Sequence, residues 1–177
     1  MTNWAQIVST ALVTATATGV ITWLIHSRYG SKAAEKARQA WEEQKRRVTV
    51  QHALSLLRLE MVRAAAANDY NGSLETETID PPPMTLPLAS VSTVARDLAV
   101  ARALTGDLGD CVFAYLAAAD FVEQRIDVWR RAATTTNSTA TTNIGARARV
   151  EVIERSESVR RGITASLTVI DTELART

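Results

Sequence analysis

Cysteine is nearly absent. One thiol, Cys111, in 177 residues excludes an internal disulfide framework and fits a reducing compartment. Histidine is almost as scarce, with only His26 and His52, so there is no His-Glu-x-x-His zinc helix and no Glu-x-x-His pair for a di-iron bundle. No Gly-x-x-x-x-Gly-Lys loop is present to cradle phosphate, and no Gly-x-Ser-x-Gly elbow to present a nucleophile. Cys111 falls on the core side of an apolar helical stripe, where a thiol is simply buried; His26 marks a membrane edge and His52 a partly exposed helix position. These absences point away from an enzyme and from any bound metal or cofactor.

Charge is absent from the first segment. Residues Thr2 to Ile25 carry no charged side chain, and Trp4 and Trp23 stand near its two ends. At about 1.5 Å per helical residue the interval between them covers roughly 28 Å, close to the hydrocarbon thickness of a bilayer. An indole is apolar in body and needs a wet partner for its N–H, so Trp4 and Trp23 suit the two interfaces, with Tyr29 just beyond. A cleaved signal peptide is the competing reading, but Met1-Thr2-Asn3 supplies no basic leader. The expectation is one membrane-spanning helix in contact with lipid.

Basic residues orient it. Arg28, Lys32 and Lys36 follow the span directly, and from Arg28 to Arg47 seven basic and three acidic residues give net +4. Positive flanks stay in the cytoplasm, which places the N-terminus outside and everything from His26 onward inside. Beyond Arg47, 13 basic and 16 acidic residues leave net −3. A mildly acidic body is the wrong sign for sequence-independent nucleic-acid binding.

The span is rich in small and hydroxylic residues. Ala11, Ala15 and Gly19 recur every fourth position on one face, and Thr14 and Thr18 belong to a parallel hydroxyl stripe. Small ridges let helix backbones approach closely, and Thr hydroxyls bond across such contacts or back to their own carbonyls. This is a candidate packing face for a partner span or a second copy; the alternative is a plain anchor.

The remaining chain is helical in period. Ser31 can cap a helix running to about Asn68, first through an Ala34, Ala37, Trp41 seam that reads as a stalk, then through a core stripe of Val50, Ala53, Leu54, Leu57, Met61 and Ala64. Prolines 81 to 83 and Pro87 forbid helix and favour a crossover over the bundle; Pro83 and Pro87 are four apart and do not match a PxxP ligand. Ser90 or Ser92 opens the next helix, with Val94, Leu98, Ala101 and Leu104 as its stripe. Asp107 can cap the third, where Leu108, Val112, Tyr115, Ala119, Val122, Ile126 and Trp129 alternate spacings of four and three. In the last, Val152, Ser156, Val159, Ile163, Leu167, Ile170 and Leu174 repeat the pattern.

The expected fold class is therefore all-α, a single N-terminal transmembrane helix followed by a cytoplasmic bundle of about four helices. Its parts are an anchor over 1–27, a juxtamembrane helical stalk over 28–48 and a bundle over 49–177, with a Pro-rich loop at 71–89 and a Thr-rich linker at 134–143. Three functions fit. The favoured one is a non-enzymatic interaction or scaffold protein at the inner face of a bacterial membrane, serving an unidentified protein partner and able to self-associate through span and stalk. The second is a phage or prophage accessory membrane protein, controlling lysis or excluding superinfection through an oligomerising span. The third is an enzyme with an unrecognised bundle site.

Overall fold

Apolar side chains spaced three and four apart build four α-helices in a computed structural model. It describes the backbone of residues 4–74, 82–135 and 139–176, and the side chains of 30–74, 82–135 and 142–176. The helices are α1 (Trp4–Gly72), α2 (Leu88–Val100), α3 (Gly106–Thr134) and α4 (Thr139–Arg176), and no strand occurs among the described residues. Among the described residues no helix is long and apolar enough to cross a membrane. The side chains of 1–29, on which the expected span rests, lie outside that description.

The chain divides into two compact units, Met1–Arg46 and Arg47–Thr177. In the first, α1 runs through Gly30 and Ser31 without the interruption expected there. A glycine costs a helix only about 1 kcal/mol, and the helix-forming run from Ala33 to Glu35 follows directly. From Gly30 to Arg46 every described side chain is exposed, including Trp41 at 60 %, which lies under the Lys45 ammonium.

The second unit is a helical bundle. Its core joins Leu54, Leu57 and Met61 of α1, Val91 and Leu98 of α2, Val112, Val122 and Ile126 of α3, and Val152, Val159, Ile163 and Ile170 of α4. All seven positions of the expected α3 stripe are buried. In α4 the buried line deviates, since Ser166 rather than Leu167 faces fully inward. Helices α1 and α4 are antiparallel: Arg58 pairs with Asp171 at 2.7 Å, while Asn68 Nδ2, ten residues on, donates to the carbonyl of Ser156 at 2.9 Å. Helices α3 and α4 are antiparallel too, with Arg125 on Glu151 at 3.1 Å and Tyr115 against Gly162.

Several boundaries differ from the sequence-based expectation for identifiable reasons. Asn68 and Asn71, read as a helix break, continue the 57, 61, 64 spacing and are buried at 3 % and 1 %, so α1 extends to Gly72. Helix α2 begins at Leu88 behind Pro87, not at Ser90 or Ser92; Pro87 presents no amide and has a fixed φ, which suits a helix start. Helix α3 is capped by Thr105, whose hydroxyl accepts from the amide of Leu108, and not by Asp107, which sits in the first turn. Helices α1 and α2 thus reach into the expected Pro-rich loop 71–89, to Gly72 and from Leu88. Helix α4 starts at Thr139, inside the expected Thr-rich linker 134–143.

The expected α2 stripe also fails at its end, where Ala101 and Leu104 lie beyond the helix. Arg102 stops it in a left-handed conformation (φ 53), with the amide of Ala103 returning to the carbonyl of Leu98 at 2.8 Å. This is a Schellman turn carrying arginine where glycine is favoured, and a Cβ there costs about 1–2 kcal/mol. Part of that is offset by the greater freedom of glycine in the unfolded chain. Arg102→Gly is expected to stabilise the bundle by about 0.5 kcal/mol, read as a higher denaturant midpoint at unchanged slope.

Candidate functional site

Helix α2 is short, 13 residues against 29 in α3. It cannot cover the whole groove between α1 and α3, and an extended strap, 82–87, lies beside those helices where α2 is missing. Pro83 and Leu86 of the strap are buried, whereas Pro82, Met84 and Thr85 face out. An extended chain brings unpaired backbone groups that must find partners. Side chains of the bundle provide them.

Asn71 of α1 pairs with both backbone groups of Met84, Nδ2 donating to the carbonyl at 2.8 Å and Oδ1 accepting from the amide at 2.7 Å. Glu123 of α3 accepts from the amide of Leu86. Glu60 of α1, only 9 % exposed, accepts from the Ser90 hydroxyl at 2.8 Å and from Arg63 at 2.8 Å. Two carboxylates and an amide from two helices thus hold the strap and the first turn of α2.

A phenol is buried in the bundle core. Tyr115 of α3 is fully buried and its hydroxyl has no hydrogen-bond partner. Burial raises its pKa far above the ordinary tyrosine value, and the nearby charges of Glu123 and Glu60 raise it further. The Glu123 carboxyl is also raised, first by burial; the Leu86 amide and Arg130 oppose the shift and Asp127 adds to it. A carboxyl with a raised folded pKa adds stability below the unfolded value and loses it as pH rises through the folded one. Glu123→Gln keeps an acceptor for Leu86 and removes the charge. Its melting temperature relative to wild type is expected to be higher at pH about 7 than at about 5; an offset independent of pH would contradict the assignment.

Other candidate positions are more ordinary. Cys111 is half-buried, not enclosed, in an open groove of about 470 Å³ between α3 and α4, lined also by Asp110, Ala114, Ser158, Arg161 and Gly162. His52 is exposed on α1. The guanidinium groups of Arg125 and Arg155 lie over the Phe121 ring, at 4.8 and 5.0 Å from its centre. Among the described residues, no group of three or more His, Cys, Asp or Glu side chains is placed to hold a metal ion.

Of the positions singled out from sequence, Lys32 and Lys36 are exposed on α1, as are Ala34, Ala37 and Trp41. The side chains of Ala11, Thr14, Ala15, Thr18 and Gly19, and those of Trp4, Trp23, Arg28 and Tyr29, lie outside the described residues. The clamp residues Glu60, Asn71, Ser90 and Glu123 were missed. One signal was available, because Asn68 and Asn71 continue an apolar stripe in phase, and polar residues at core positions must find partners. No protein-family model, curated protein or solved structure matches the chain.

Proposed function

We propose that this chain is a membrane-anchored helical interaction module, with the span at its N-terminus and the bundle Arg47–Thr177 on the cytoplasmic side of a bacterial inner membrane. One observation carries the reading: Thr2 to Ile25 hold no charged residue, have Trp4 and Trp23 at their ends and are followed by a flank of net +4. Backbone groups in hydrocarbon must be satisfied internally, and a helix does so. The bundle supplies the working surface, because it already holds an extended backbone by side-chain clamps. The small-residue face of Ala11, Ala15 and Gly19 is then the place for a second copy or a partner span.

Alkaline extraction of membranes from cells expressing the full chain tests the anchor. The wild type stays with the membrane. The double variant Leu12→Arg, Val13→Arg is released, since each arginine near the middle of a span costs about 3 kcal/mol. Release of the wild type would remove the anchor from the account.

A further inference from the structure

Helix α1 is apolar on two opposite faces. Inside the bundle unit its inner stripe of Leu54, Leu57, Met61 and Ala64 is buried in the core, while a second line, Val48, His52, Ser55, Leu59, Val62 and Ala66, is exposed. The steps along that line are four, three, four, three and four, and at about 100° per residue all six positions fall within about 40° of its centre, opposite the core. Val48 is 58 % exposed, Leu59 46 %, Val62 44 % and the adjoining Leu56 39 %. Single exposed apolar residues are ordinary, but a surface helix is expected to be polar on the face away from its core. No Asp, Glu, Lys or Arg falls on this line.

We propose that this outer face of α1 is the seam of a parallel homodimer, in which each copy covers the line of the other from Val48 to Ala66. Its repeat selects a second copy of the same helix, because alternating steps of four and three are those of a two-stranded coiled coil, where like layers meet across a two-fold axis. Val48, Leu59 and Val62 make apolar layers; His52 and Ser55 make polar ones, and polar layers within a seam fix its register. The arginines that flank the line are neutralised within each copy. Arg58 pairs with Asp171 at 2.7 Å and Arg63 with Glu60 at 2.8 Å, so they do not set two copies against each other.

The seam is about 28 Å long. Two helices about 10 Å wide in contact over that length cover on the order of 600 Å² together, about half of what a stable interface buries. An anchor supplies the difference, since copies held in one membrane share a plane and a direction and forfeit little rotational freedom on pairing. The proposal rests on the interaction-module reading and names its partner.

Disulfide crosslinking of the full chain in membranes tests it, with Cys111→Ser as background and Cys111→Ala in its place should the serine variant not fold. Cysteines bridge only when their Cα atoms come within about 7 Å. Val48→Cys, Ser55→Cys and Val62→Cys, each seven residues from the next, are all expected to give a linked dimer at least tenfold more abundant than Ala117→Cys, at an exposed position on α3. Adding Leu59→Glu to Ser55→Cys is expected to reduce the dimer at least tenfold while the helical circular dichroism of the purified chain persists. Seam positions that link no better than Ala117→Cys overturn the proposal, as does a yield unmoved by Leu59→Glu. Linkage at some of the three positions but not all breaks the common register and overturns the parallel pairing; a linked product that is not twice the mass of the chain assigns the face to another protein and overturns the homodimer. Alkaline extraction of the same membranes reads the anchor separately: a chain retained but not crosslinked removes the dimer alone, and one crosslinked but released removes the anchor alone.

Discussion

Gly162→Leu is expected to cost the bundle about 3 kcal/mol or more, a fall in melting temperature of roughly 10 °C. A Cβ at position 162 would stand 3.0 Å from Cα and 3.2 Å from the amide nitrogen of Tyr115. Those are backbone atoms of α3 and cannot rotate away. The two long helices must separate, and the loss spreads along the line where Val112, Val122, Val159 and Ile163 pack. Gly162→Ala gains about 1 kcal/mol in helix propensity and still meets the same backbone, so a net loss of about 1 kcal/mol is expected. Thermal melts of both variants check the order. An alanine variant more stable than wild type would show that the α3–α4 contact is looser than described.

The second large effect separates the two units of α1. Met61→Ala, at a fully buried position, is expected to lose about 2–5 kcal/mol through lost burial and the cavity it leaves. Trp41→Ala removes a larger side chain from the same helix, but one that is 60 % exposed outside the bundle unit. Its expected effect on bundle stability is within about 0.5 kcal/mol. Denaturant unfolding of both variants, followed by far-UV circular dichroism, makes the comparison. Comparable losses would mean that residues before Arg47 contribute to the core.

Where one stripe of apolar residues faced one core, sequence was enough. The alternating four-and-three spacing from Leu108 to Trp129 placed α3 and its inward side correctly, because burial and helical period are set by the same residues. Ends were less legible, since each depends on a partner distant in the chain. Asn68-Asp69-Tyr70-Asn71-Gly72 has the composition of a turn, yet Asn68 finds the Ser156 carbonyl on α4 and Asn71 finds Met84. With those bonds made, the helix continues through all five.

Arg102 illustrates the opposite case. No local preference places arginine in a left-handed turn; the closing bonds from Ala103 to Leu98 and from Arg102 to Ala99 hold it there. The clamp corner was illegible for a related reason. Nothing in the sequence pattern singles out Glu60 and Glu123, and their burial follows from the shortness of α2, which leaves the strap to cover them. Tyr115 was placed correctly as core, but its hydroxyl's isolation is visible only with the neighbouring helices in position.

The central claim is a bundle held on the cytoplasmic side of a membrane by its first segment, and reporter fusions at Thr177 of the full chain test it most directly. A phosphatase active only outside the cytoplasm is expected to stay silent there, while a fluorescent protein that folds only inside is expected to be bright and to remain with the membrane fraction. An active phosphatase, or fluorescence wholly in the soluble fraction, would contradict the account.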